Sequence, residues 1–231
     1  MNDPLSAREE LYKRGQAEQR AGRHKEAAEI FRQVLAQDRK NPAVLCALGQ
    51  SLAQLGDFTG GDESFAAAIA AEPNFLPAYR LGGDLAKFSC SEAERGGRKE
   101  LALQFRQGAY RYLCALGVRL VERRAWPEAE QTFREALVLM PFDWAGQVDH
   151  GRCLYELGRF EEAEAAIRRG LTLTQNKPLA HFHLGEVLRR RGALAEAEAS
   201  FRQALALDPA LAAARSQLAL ILSQAKRDGS S

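Results

Sequence analysis

The residues of this chain whose types could do chemistry are four cysteines, four histidines and several paired carboxylates. A thiolate could act as a nucleophile or hold zinc, an imidazole could move a proton, and two carboxylates could share acid–base work. Their spacing argues against all three. Cys46, Cys90, Cys114 and Cys153 are scattered, with no Cys-x-x-Cys pair. They read as free thiols of a reducing compartment, not as a disulfide framework or a zinc site. His181 and His183 stand two apart on a predicted helix and point to different faces. Glu161 and Glu162 open another predicted helix, where carboxylates meet the positive end of the helix dipole. A Gly-rich phosphate loop, Gly-x-Ser-x-Gly and His-Glu-x-x-His are all absent. The chain is therefore expected to be no enzyme, with no catalytic residue, metal or cofactor.

Composition narrows the remaining classes. Ala, Leu, Glu, Arg and Gln dominate and prolines number only eight, which predicts an all-α chain. Thirty-two basic residues face thirty acidic ones, a net charge of +2 that gives no electrostatic footprint for nucleic acid. No apolar run approaches the length that spans a bilayer, and the start, Met-Asn-Asp-Pro-Leu-Ser, does not read as a leader. Membrane insertion is not expected, and the cytoplasm is the expected location.

The elements that position these residues follow a strict beat. Gly15, Gly49, Gly83, Gly117, Gly151 and Gly185 recur every 34 residues. Phe31, Phe65, Phe133, Ile167 and Phe201 keep the same interval with one place missed, and Pro73, Pro141 and Pro209 keep twice that interval. Within the second unit, Leu45, Leu48, Leu52 and Leu55 form one apolar stripe that Gly56 stops, and Phe58, Phe65, Ala68 and Ile69 form another that Pro73 stops. Each unit is thus two short amphipathic helices that cannot bury their own faces and must stack on neighbours. Within that frame His150 takes a slot held elsewhere by Leu48, Leu116 and Leu184, so it reads as a packed, hydrogen-bonded core histidine.

These markers carry a family resemblance. Leu48-Gly49-x-x-Leu52 with Gly56, Phe65 and Pro73 resembles the tetratricopeptide-repeat (TPR) signature. So do Leu116-Gly117-x-x-Leu120 with Ala129, Phe133 and Pro141, and Leu184-Gly185-x-x-Leu188 with Ala197, Phe201 and Pro209. The resemblance implies a right-handed α-solenoid of about six TPR helical hairpins plus a C-terminal capping helix. The repeats fall at 8–41, 42–75, 76–109, 110–143, 144–177 and 178–211, with a cap over 212–226 and disordered ends over 1–7 and 227–231. Thirteen helices are expected, with turns near Gly22, Gly56, Gly158 and Gly192.

Repeat three departs from the pattern. Residues 89–97 lack apolar periodicity and predict a loop in place of the first half of a second helix. Lys99 stands in the Phe slot and Gly108 where the turn proline would be. The loop reads either as sequence drift or as a flexible joint between the flanking repeats.

The resemblance implies that first helices line a concave face where a partner peptide or helix lies. The positions expected to point inward include Tyr12, Gln16, Gln50, Arg80, Asp84, Phe88, Arg111, Arg152, Tyr155, Phe182, Glu186 and Arg189. Tyr12 and Gln16 stand where TPR domains that hold acidic chaperone tails carry lysine and asparagine, and no asparagine ladder of the O-GlcNAc-transferase kind is present. Both comparisons argue against those partners. The expected function is a protein–protein interaction scaffold or adaptor whose ligand is a protein or peptide. The alternative is the regulatory or substrate-presenting arm of a larger enzyme that continues after residue 231. End-to-end stacking of repeats adds weak self-association to the expectations.

Overall fold

The computed structural model describes residues 4–228. It contains twelve α-helices and, among the described residues, no strand. In chain order they are α1 Pro4–Arg20, α2 His24–Gln37, α3 Pro42–Gln54, α4 Phe58–Ala71, α5 Leu76–Arg95 and α6 Lys99–Glu122, then α7 Trp126–Leu139, α8 Trp144–Glu156, α9 Phe160–Leu173, α10 Pro178–Arg190, α11 Leu194–Leu207 and α12 Ala212–Asp228. Helix therefore reaches into the two end stretches read as disordered. Of those, residues 1–3 and 229–231 lie outside the described residues. The chain divides into two compact units, Met1–Arg119 and Leu120–Ser231.

In the first unit each hairpin closes the same way. Gly22, Gly56 and Gly97 take positive φ of 76°, 83° and 69°. The next amide then reaches back into the preceding helix: Arg23 to the Glu18 carbonyl (3.0 Å), Asp57 to Leu52 (2.9 Å) and Arg98 to Ala93 (2.8 Å). Side chains start the following helices. Asn41 accepts from the Val44 amide at 3.2 Å ahead of Pro42, and Asp57 accepts from the Gly60 amide at 2.9 Å. Ala27, Phe31 and Val34 of α2 pack on Val44, Leu48 and Leu52 of α3 in one core, and Phe65 of α4 packs with Leu45 and Ala78 in the next.

Repeat three corrects two expectations. Residues 89–95 are helix, not loop, and Gly96 and Gly97 form the turn that follows. Their buried stripe is made of small residues, Ala86, Cys90 and Ala93, which meet Ala102 of α6. The turn glycine has moved from the expected slot at residue 90 to Gly97, seven residues on. Seven residues are about two helical turns, so α5 lengthens without rotating its buried face. The second correction is the helix count, twelve in place of thirteen. With no proline near Gly108, nothing breaks the chain, and the second helix of repeat three runs straight into the first helix of repeat four as α6.

In the second unit a single core joins Leu154, Ile167, Leu184, Leu188 and Phe201, and Ile221 of α12 closes onto it at 2% exposure. The beat glycines are where helices touch. A Cβ on Gly151 would sit 2.5 Å from Ile167 and 3.0 Å from the Ala163 carbonyl, and one on Gly185 would sit 2.6 Å from the Phe201 ring. Gly158 and Gly192 repeat the left-handed turn at φ 76° and 80°, but the matching position in the first hairpin of this unit is Arg124 at φ 57°. Its turn keeps the same bonds, with the Ala125 amide on the Leu120 carbonyl at 2.9 Å.

Three predictions follow from these backbone positions. Gly151→Leu or Gly185→Leu overpacks a helix contact and should destabilise by about 1–3 kcal/mol or more. Gly108→Ala should instead stabilise by about 0.5–1 kcal/mol, because its Cβ meets only Ala86 at 3.9 Å in mid-helix. Arg124→Gly relieves a left-handed non-glycine residue and should raise stability by roughly 1 kcal/mol. Urea titrations of the four variants check all three, and a stabilised Gly185→Leu or a destabilised Arg124→Gly would contradict this account.

Candidate functional site

The residues expected to point inward all lie on first helices, and the structure sorts them into separate recesses. In the first unit one recess is a groove of about 520 Å³. Gln50 of α3 and Asp84 of α5 edge it, and Phe58, Leu81, Leu85 and Phe88 form its apolar wall. Phe88 is 49% exposed, and its ring meets that of Phe58 edge-on at 5.6 Å. The Asp84 carboxylate is paired with Lys87 Nζ at 2.8 Å. Tyr12 stands apart from this groove. It leans on Phe31 with ring centres 5.9 Å apart and opens on a recess of about 230 Å³ with Arg8, Glu9 and Asn41. Gln16 and Arg80 are half-buried. Arg111 is exposed and opens on a different cavity, with Asp62 and Ser89.

In the second unit Arg152, Tyr155 and Glu186 come together around a small recess with Glu156 and His183. The Glu186 carboxylate meets His183 Nδ1 at 3.0 Å and also acts electrostatically on Arg190. Arg190 Nε donates to the Tyr155 hydroxyl at 3.3 Å. Arg189 is half-buried, and its Nε has no hydrogen-bond partner. Phe182 is chiefly a packing residue, set against Phe201 at 5.8 Å and the His183 ring at 5.3 Å. Burial raises the Asp149 carboxyl above its usual range, with Arg152 and His183 pulling the other way.

Burial governs Cys46, Cys153 and His150. Burial pushes the thiols of Cys46 and Cys153 up to about 12, so neither is a thiolate near neutral pH. His150 is packed as its slot suggests, with Nε2 3.1 Å from Glu130 Oε1. Burial lowers its pKa while the Glu130 carboxylate acts to raise it. Among the described residues no cluster of His, Cys, Asp and Glu could hold a metal, and no helix is long and apolar enough to cross a membrane.

Residue reading alone missed two features. Glu130 is 5% exposed and is held by His150, Arg134 and Arg159. Nothing in its exposed-looking helical context, Pro-Glu-Ala-Glu-Gln, marks it as buried. Phe58 was legible as core but not as a groove wall. Its signal is a bulky residue two places after the turn, at Phe58, Trp126, Phe160 and Leu194, where Phe160 likewise meets Tyr155 at 5.7 Å.

Comparison with known proteins is consistent with this geometry. The family profile described as tetratricopeptide repeat matches residues 19–82, and a second profile of the same description matches 114–178 and 148–212. No curated protein matches the sequence. Among solved structures, the assembly chaperone of RpL4, Acl4 (residues 1–338), is 18% identical over 97% of this chain and 99% of that chain, with a TM-score of 0.50. A chain of the APC/C hetero-tetramer Cut9–Hcn1 is 19% identical with a TM-score of 0.47; the match covers 92% of this chain but only 42% of that one. The Yersinia enterocolitica type III secretion chaperone SycD, in complex with a peptide of the translocator YopD, is 24% identical over 48% of this chain and 91% of that chain, with a TM-score of 0.46. The matched segments take in more than half of the residues and hold the helical hairpins described above, so the fold class is an all-α repeat solenoid and the chain belongs to the tetratricopeptide-repeat family.

Proposed function

We propose that this chain is a protein-interaction scaffold that holds a peptide or helix of a partner on its first-helix face. The observation that carries this reading is the groove of about 520 Å³ in the first unit. A water-soluble surface gains nothing by leaving Phe88 half-exposed beside Phe58 and Leu85, whereas a partner side chain that covers them removes apolar area from water. Gln50 and Asp84 at the edge supply hydrogen-bonding groups that would orient such a segment.

The second unit offers a different chemistry on the corresponding helices. Arg152 shares a recess with Tyr155, Glu156, His183 and Glu186, and Arg190 Nε donates to the Tyr155 hydroxyl. Guanidinium groups match carboxylates, so this face suits an acidic group of a partner. Four free cysteines fit a reducing compartment, and the cytoplasm is the setting we propose.

Selection of a phage-displayed random dodecapeptide library on the whole chain tests the reading. Peptides with a large apolar residue should enrich, and Phe88→Ala should weaken the best of them by about tenfold, the effect of removing one buried aromatic anchor. Failure of any peptide to enrich, or equal binding by Phe88→Ala, would overturn the assignment of the groove.

A further inference from the structure

Behind that groove the first unit holds a second cavity that the repeat pattern does not account for. Its volume is about 180 Å³ and it lies among α4, α5 and α6, sharing Phe58 and Leu85 with the groove. It depends on the departure of repeat three, since the stretch of α6 that lines it runs on past Gly108 where other repeats turn. Phe58, Leu85 and Phe105 supply apolar wall, and Thr59 and Gln104 add neutral polar side chains.

One polar atom inside is left without a partner. Ser89 lines this cavity, is 2% exposed, and its Oγ makes no hydrogen bond. Serines on helices commonly donate back to the carbonyl four residues earlier. Ser51, Ser64, Ser91 and Ser200 of this chain all do so, at 3.0, 2.7, 3.2 and 2.9 Å. Ser89 does not. A buried hydroxyl without a partner costs about 1–3 kcal/mol, which a ligand in the cavity would recover.

The remaining lining selects the kind of ligand. Asp62 and Arg111 put one anion and one cation on the cavity, and the Tyr112 hydroxyl fixes the Asp62 carboxylate with a bond of 2.8 Å. Opposite charges favour a dipole over an ion, and a charged group taken among apolar walls and the neutral polar groups of Thr59, Ser89 and Gln104 loses more hydration than it regains. An aliphatic side chain would leave Ser89 unbonded. A carboxamide carries both a donor and an acceptor, is neutral, and has a dipole to lie between the two charges. We propose that this cavity is a docking pocket for a single glutamine or asparagine side chain, borne by the same partner segment whose apolar residue fills the neighbouring groove. The proposal rests on the peptide-holding reading given above.

The peptides selected on the whole chain provide the probe. They should share a glutamine or asparagine at a fixed spacing from the apolar anchor, and replacing that residue by leucine or glutamate should weaken binding by about tenfold. Ser89→Met fills the cavity and should remove the difference between the glutamine and leucine peptides. Arg111→Glu, at an exposed position where folding is not at stake, should weaken the glutamine peptide and leave the leucine peptide unchanged. Enriched peptides that depend on Phe88 but carry no common carboxamide, or glutamine and leucine versions that bind alike, would show that the cavity holds only water. That outcome overturns this proposal and leaves the groove standing. No enrichment at all would overturn both.

Discussion

Four of the hairpins depend on one close approach, a large side chain of the second helix pressed onto a bare backbone position of the first. Phe201 lies where a Gly185 Cβ would be 2.6 Å away, Ile167 where a Gly151 Cβ would be 2.5 Å away, and Phe31 and Phe65 stand in the same relation to Gly15 and Gly49. Glycine in a helix interior gives up about 1 kcal/mol of helix propensity. The contact offsets this by letting rings that are no more than 1% exposed fill the space between helices. In repeat three the close contact shifts by one residue, with a Gly82 Cβ 2.6 Å from the Tyr112 ring while Gly83 has only ordinary neighbours. The same constraint is thus met there by a different pair, and Tyr112 reaches on to Asp62.

That substitution links packing to the site. Lengthening α5 by two turns and running α6 past Gly108 keeps the buried faces in register but changes what lies between the helices. The small stripe Ala86, Cys90 and Ala93 draws α6 in at one end. Beyond it, Gly108 and Ala86 present no bulk, and a cavity remains beside Phe58 and Leu85. The groove and the cavity therefore both draw walls from one irregular repeat, whereas the recess around Arg152 and Tyr155 lies between regular hairpins of the second unit.

Much of the fold was legible because its markers are local and strong. Gly22, Gly56, Gly158 and Gly192 were readable as turns, and each takes the left-handed conformation that stops its helix. The extension of α5 was not readable, because a stripe of alanine, cysteine and serine carries too little hydrophobic contrast to register as helical periodicity. The fusion within α6 was hidden for the opposite reason: a missing proline marks nothing, and a lone glycine is ambiguous between a turn and a helix interior. For the site, first-helix positions such as Gln50, Asp84, Arg152 and Tyr155 do line recesses. Which of them share one was not readable, since that is fixed by second-helix residues such as Phe58. Phe182 was read for its face and is largely consumed in packing against Phe201.

The dependence of the fold on glycine–aromatic seating is tested most directly by a double-mutant cycle at Gly185 and Phe201. Gly185→Ala and Phe201→Leu each lose stability alone, the first by collision and the second by lost burial. If the ring is what the Cβ strikes, the smaller leucine relieves that collision, and the double variant should be more stable than the sum of the two losses by about 1 kcal/mol. Additive losses in urea titration would mean that Gly185 and Phe201 act independently, and would contradict the account.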